Sequence, residues 1–179
     1  MKKKSWQRIK RRILHKSKFL TVYDDKVRLP DGGILDHYTL TKKPDVVVIV
    51  ATTRKNELLV LDEYKYAADM FLRTLPAGHI DKHENPLVAA RRELREETGY
   101  TSPKLQYLGY LYEYPTKDLH KVHVVRAINA TPKSKTSHEK TETIVASLLS
   151  VKNLKKEIKN GKWKTSSTLG ALVLADLLY

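Results

Sequence analysis

Three glutamates, Glu93, Glu96 and Glu97, stand close together in a 179-residue chain that holds no cysteine. If the stretch from Pro86 to Thr98 is helical, each residue advances about 100°, so the three carboxylates fall within roughly 100° of one another on one face. Like charges at these spacings oppose helix formation by roughly 0.2–0.5 kcal/mol per pair, and Arg92 and Arg95 offset only part of that. A divalent cation would offset it directly. Mg²⁺ asks for octahedral oxygen ligation, keeps several waters and is shared between a few carboxylates and substrate phosphates. Three glutamates by themselves also suit an ordinary solvated helix face, so the neighbouring residues have to decide. Pro86, Ala89 and Ala90 are small and lie above the glutamates, which predicts room for a bulky partner, whereas Leu87, Leu94 and Thr98 are predicted to pack on a sheet.

The helix is bracketed. Asn85 can cap free N–H groups, Pro86 suits the first helical position, and Gly99 is a natural stop. Around it the pattern predicts strands at Phe19 to Arg28 and Ile34 to Thr41, joined by the turn Pro30-Asp31-Gly32-Gly33, and a buried central strand at Val46 to Ala51. Further strands are expected at Leu58 to Asp62, Phe71 to Leu75, Leu105 to Tyr114, Val122 to Ile128 and Ile144 to Leu149, with a polar loop from Thr131 to Thr143. Two helices close the chain. One sets Val151, Leu154 and Ile158 on a face; the other runs from about Ser167 to Leu178, capped by Ser166 or Ser167.

Composition narrows the chemistry. Without cysteine there are no disulfides, zinc-thiolate sites or thiol nucleophiles, so a metal must be held by oxygen or imidazole. His79, His83, His120, His123 and His138 show no metal spacing and read as surface or supporting positions. The formal charge of +14 is concentrated in residues 1–18, which carry nine Lys and Arg and no acid. That block predicts a solvated basic tail, or a short amphipathic helix with Trp6, Ile9 and Ile13 on one stripe; nucleic acid binding through it is the less favoured reading. No stretch approaches the roughly 20 apolar residues of a membrane span, and the start lacks a secretory h-region, so a cytoplasmic location is expected.

The decisive pattern begins at Gly78. Glu84 follows six residues later, then Arg92-Glu93-Leu94, Glu96-Glu97, Gly99 and the bulky Tyr100. So many fixed positions at fixed spacing in a loop-helix-loop context identify a resemblance to the Nudix hydrolases, covering about Phe19 to Tyr179. The chain further resembles their ADP-ribose pyrophosphatase branch. Lys26 to Gly32 reads K-V-R-L-P-D-G, Glu63 to Tyr66 stands where that branch has Q-Y-R-Y, Thr74 to Gly78 where it has E-L-P-A-G, and Pro115 where it has a proline beyond the box. Lys65 replaces the usual Arg and Thr74 the common Glu. Lys offers phosphate a point charge without a bidentate fork.

The resemblance implies an α/β/α sandwich around a mixed sheet, preceded by a small N-terminal β-hairpin region that crosses to a second subunit in a homodimer. It divides the chain into the basic segment 1–18, the β region 19–43 and the hydrolase domain 44–179. It implies Mg²⁺, or Mn²⁺ in its place, held by Glu93, Glu97 and the Ala77 carbonyl, with Glu96 in or beside that set. Glu84 and Arg92 would orient these ligands, Arg92 counting with the catalytic group. Lys65, Gly78 and Pro115 would contact substrate. A carboxylate of the late loop, Glu142 or Glu139, would take the proton of the attacking water, with Glu96 next in line. The implied substrate is a nucleoside diphosphate compound, with ADP-ribose cleaved to AMP and ribose 5-phosphate. Tyr64, Tyr66, Tyr110, Tyr112 and Tyr114 are expected near the site, one of them against the adenine. Two other readings remain open: removal of pyrophosphate from RNA 5′ ends, which would use the basic segment, and a non-catalytic domain that binds a nucleotide sugar.

Overall fold

The computed structural model describes residues 5–137 and 143–178. The chain forms two units, residues 1–44 with 112–120 and residues 45–111 with 121–179.

The first unit is a three-stranded antiparallel sheet, β1 (Gln7–Lys16), β2 (Thr21–Arg28) and β3 (Ile34–Lys42), in that order. The basic segment is therefore neither a tail nor a helix over residues 7–16; it adds β1 as a third strand to the expected hairpin β2–β3. The register gives the reason. Ile9 and Leu14 are each inserted at a bulge against β2, so the apolar spacing no longer alternates and Ile9 and Ile13 fall four apart. The cations of β1 find partners on the central strand: Arg11 forms a fork on buried Asp25, with Nε and Nη2 donating at 2.7 and 2.6 Å. Arg12 pairs with Asp24, which also accepts from His37. Residues 112–120 join this unit through β3. Thr41 N donates to the Lys117 carbonyl, Leu119 N to the Thr41 carbonyl, and the Thr41 hydroxyl to Asp118. The strand expected to reach Tyr114 accordingly stops earlier.

The second unit contains β4 (Val46–Thr52), β5 (Glu57–Lys65), β6 (Met70–Thr74), β7 (Ala77–His79), α1 (Pro86–Thr98), β8 (Tyr100–Thr101), β9 (Lys104–Leu111), β10 (Val122–Ile128), β11 (Thr131–Pro132), β12 (Ile144–Ser150), α2 (Val151–Lys159) and α3 (Ser166–Leu174). Its main sheet runs β12-β5-β4-β10-β9, with β6 on β5 and β7 on β4. β4 and β10 pair in parallel and the other neighbours antiparallel, which makes the sheet mixed.

β4 reads as an unbroken apolar run because both its faces are covered. Val48 and Val50 join Leu154, Trp163, Ala171 and Leu172 under α2 and α3; Val47, Ile49 and Ala51 join Val125, Ala127, Ala89, Ala90 and Leu94 under α1. The result is the α/β/α sandwich. Fully buried side chains such as Ile49 and Leu94 each contribute roughly 1.5–3 kcal/mol.

The α1 bounds agree with the sequence, and Leu94 and Thr98 are buried as expected, but Leu87 and the alanines are not placed as expected. Ala89 and Ala90 are fully buried and Leu87 is exposed, so the small residues let the helix sit close on the sheet and make no room for a partner. The last helix starts at Ser166 with Thr165 at its cap position, and no side chain caps it. β6, which leads into the glutamate region, is held by Arg73, whose guanidinium forks onto Asp62 and donates to Glu157 on α2 at 3.0 and 2.8 Å.

Candidate active site

The acidic helix is positioned by its own ends. Asn85 Oδ1 accepts from Leu87 N and Val88 N at 3.0 Å each, so the free N–H groups of the first turn are satisfied. At the other end Gly99 adopts φ 72° and its N–H returns to the Arg95 carbonyl. The late loop then takes over the helix's spare acceptors. Lys133 N and Ser134 N donate to the Gly99 carbonyl at 2.8 and 3.1 Å, and Ser137 N donates to the Glu96 carbonyl at 2.8 Å. A Cβ on Gly99 would collide with the Ser134 carbonyl, so glycine serves both the left-handed cap and this close passage.

β7 lies beside the helix and brings the box entry to its glutamates. Glu97, only 5% exposed, accepts from the Ala77 N–H at 2.9 Å. The Glu93 carboxylate occupies the space a side chain on residue 78 would need, which is why glycine is required there. Ala77, Gly78, Glu93 and Glu97 are thus brought together by a strand and a helix that lie side by side.

Arg92 is the hub. Its Nε donates to Glu84 Oε1 at 3.2 Å and its Nη2 to Glu84 Oε2 and the His79 carbonyl, both at 2.9 Å. Nη1 donates to Glu93 Oε1 at 2.6 Å and to Glu96 Oε2 at 3.4 Å. Hydrogen bonds from Arg92 hold the Glu84 carboxyl below its usual range. The bonds Arg92 gives to Glu84, then to Glu93, raise the guanidinium further above its already high value. Among the described residues no three His, Asp or Glu side chains are arranged to hold a metal ion. Glu93 and Glu96 are turned to Arg92, and Glu97 to a backbone N–H.

The other expected residues have partners of their own. The Lys65 ammonium is paired with Glu63 on its own strand. Pro115, Tyr112 and Tyr114 belong to the first unit. Tyr64 donates to Asp69 beside the turn that carries Tyr66. Tyr110 pairs across from His123, and a bulge between β9 and β10 sets Tyr107 against the same histidine, its hydroxyl 2.9 Å from Nδ1. Glu139, Glu142 and His138 lie outside the described residues. The binding of residues 133–137 to the helix end is not foreseen by the sequence; the only signal for it is the glycine at position 99.

Comparison with known proteins fits this geometry. Residues 41–169 match the NUDIX domain model. The chain belongs to the Nudix family. Residues 6–40 match a second model, the nucleoside diphosphate sugar hydrolase N-terminal domain, so family similarity includes the basic β1 segment. This Nudix chain is 30% identical over 127 residues to an ADP-ribose pyrophosphatase of Bacillus subtilis (strain 168), covering 71% of this chain and 68% of that one. It is 34% identical over 97 residues to a CMP-5'-(N-acetyl-N-hydroxy-3-aminopropyl)phosphonate hydrolase of Streptomyces rubellomurinus, covering 54% of this chain and 47% of that protein, about half its length. In structure it resembles an ADP compounds hydrolase with a TM-score of 0.82 at 21% identity, over 97% of this chain and 93% of the other, which shows a shared fold. Among the described residues no helix is long and apolar enough to cross a membrane.

Proposed function

We propose that this protein hydrolyses the diphosphate linkage of a nucleoside diphosphate compound, ADP-ribose foremost, with Mg²⁺ and with Mn²⁺ as a substitute. The single observation that carries the reading is the convergence of Ala77, Gly78, Glu93 and Glu97 at the meeting of β7 and α1. The donor set fits a hard divalent ion: it offers only oxygen, and Gly78 leaves the Glu93 carboxylate the space it occupies. Glu93, Glu97 and the Ala77 carbonyl would hold the metal, with Glu96 at its rim. Bound there, a divalent ion neutralises the diphosphate and lowers the pKa of a water.

The chain's own residues do the rest. Glu84 fixes Arg92, and Arg92 fixes Glu93. A carboxylate bound to a cation is a poor base, so a further carboxylate must take the proton. Glu142 and Glu139 are the acids of the late loop, and that loop is held at Ser137 by the Glu96 carbonyl and at Thr143 by Tyr64 N, at 2.8 and 3.1 Å. Lys65 would meet a phosphate after leaving Glu63, and Gly78 would let it approach the backbone.

A homodimer belongs to the same proposal. Edge strand β1 exposes Ile9, Ile13 and Leu14, and an exposed apolar edge strand is a template for pairing. Light scattering on the purified chain tests it.

Assay against nucleoside diphosphate sugars, dinucleoside diphosphates and 5′-triphosphorylated RNA, each with Mg²⁺ and with Mn²⁺, tests the function. The proposal expects ADP-ribose or a related nucleotide sugar to lead. Preference for RNA would overturn the substrate assignment, and binding without turnover would overturn the catalytic one.

A further inference from the structure

All five N–H groups of the Arg92 guanidinium are in use. Nε gives its one to Glu84, Nη2 gives its two to Glu84 and the His79 carbonyl, and Nη1 gives its two to Glu93 and Glu96. The two ends of the group therefore do different things. One end is anchored on Glu84 and a backbone carbonyl; the other points its charge at two carboxylates that the proposed function assigns to the metal. The shortest of the five, at 2.6 Å, is the one to Glu93.

We propose that Arg92 is the resident counter-cation of the metal site: its Nη1 end neutralises Glu93 and Glu96 until a divalent ion takes over that charge, so the guanidinium that fixes Glu93 also opposes metal binding. This rests on the reading of Glu93 as a metal ligand. Three carboxylates, Glu84, Glu93 and Glu96, share one guanidinium, with Glu97 close behind them at Ala77. Without a cation at Nη1, Glu93 and Glu96 would lose the guanidinium that offsets their like charges on one helix face. A divalent ion brings twice the charge to the same oxygens and meets a fixed positive group beside them. The anchor on Glu84 sets the strength of that competition, because it draws the guanidinium away from Glu93.

The alternative role, a group that only orients Glu93 for the metal, predicts the opposite sign, and metal binding without substrate separates the two. Mn²⁺ is titrated into the full chain by calorimetry, with the electron paramagnetic resonance of free Mn²⁺ as a second readout. Arg92→Gln is expected to tighten Kd by about tenfold, the order expected for removing one charge a few ångströms away in a partly buried site. Arg95→Gln removes an equal but more exposed charge, 3.7 Å from Glu96, and is expected to tighten Kd by less than about threefold. Glu84→Gln, which frees the anchored end of Arg92 for Glu93, is expected to weaken binding. Should Arg92→Gln fail to fold, Arg92→Met, which removes the same charge and keeps an unbranched stem, reads the same sign. Weaker or unchanged Mn²⁺ binding in a folded Arg92 variant overturns the proposal and leaves the metal site standing, as does an Arg95 effect equal to that of Arg92. Absence of Mn²⁺ binding by the wild-type chain overturns both.

Discussion

The three-stranded sheet and the glutamate helix are both held by arginine and carboxylate, but the charges are counted differently. On the sheet two arginines of β1 each hold a different carboxylate of β2: Arg11 takes Asp25 and Arg12 takes Asp24. On the helix Arg92 is divided among Glu84, Glu93 and Glu96, and Glu97 is buried beside them. Matched pairs finish a structure. Where three carboxylates converge on one guanidinium, like charges are held close together in a way that a divalent ion would relieve, and that difference separates carboxylates that hold the fold from carboxylates that bind.

The largest effect expected from this contrast is on the helix. Glu97→Gln keeps size and removes charge, and should lower kcat on ADP-ribose by at least about a hundredfold with the fold retained by circular dichroism, as for loss of a direct metal ligand. Near-normal turnover at saturating Mg²⁺ would remove Glu97 from the ligand set. On the matched side the cost should appear in stability. Asp25, 3% exposed, leaves Arg11 unpaired when changed to Ala, and urea unfolding should show a loss of about 2 kcal/mol, moderated by the partial exposure of Arg11. An unchanged midpoint would show that β1 is held by its backbone alone.

The two regions are unequally legible in the amino-acid sequence. Around the helix every local signal agrees: Asn85 as cap, Pro86 at the first position and Gly99 at the stop, so the bounds Pro86–Thr98 can be read directly. β4 and β10 are equally plain, because strands covered on both faces carry continuous apolar runs. β1 is not legible, since bulges at Ile9 and Leu14 destroy the alternation that marks a strand and its charge invites the reading of a tail. The role of Ala89 and Ala90 is ambiguous for a related reason. Small size allows either an open face or a close approach, and only the sheet beneath them decides. At the site, the spacing from Gly78 to Gly99 points to the glutamates, while the use of all five Arg92 donors depends on side-chain geometry that spacing does not specify.

A smaller effect tests the link between the helix and the late loop. Gly99→Ala must hold an L side chain at φ 72° against the Ser134 carbonyl, and should destabilise the chain by about 1–2 kcal/mol. The thermal midpoint measures it, and a gain in stability would show that residues 133–137 move aside freely.

The smallest effect is in pH dependence. Arg92 depresses the folded-state pKa of Glu84, so the stability from this pair is fully present above the unfolded value near 4.5 and is lost as pH falls through the lower folded value. Acid unfolding of Glu84→Gln should start from lower stability at neutral pH and fall less steeply below about 4.5 than the wild type. Parallel curves for the two proteins would show that the pair carries no linkage.

The most direct test of metal-dependent diphosphate cleavage follows ADP-ribose by phosphorus nuclear magnetic resonance in the presence of the wild-type chain, with Mg²⁺ and then with chelator. The expected result is stoichiometric AMP and ribose 5-phosphate with Mg²⁺ and an unchanged diphosphate once the metal is removed. Equal turnover in chelator, or an intact diphosphate in saturating Mg²⁺ for ADP-ribose and every nucleotide sugar tried, would contradict it.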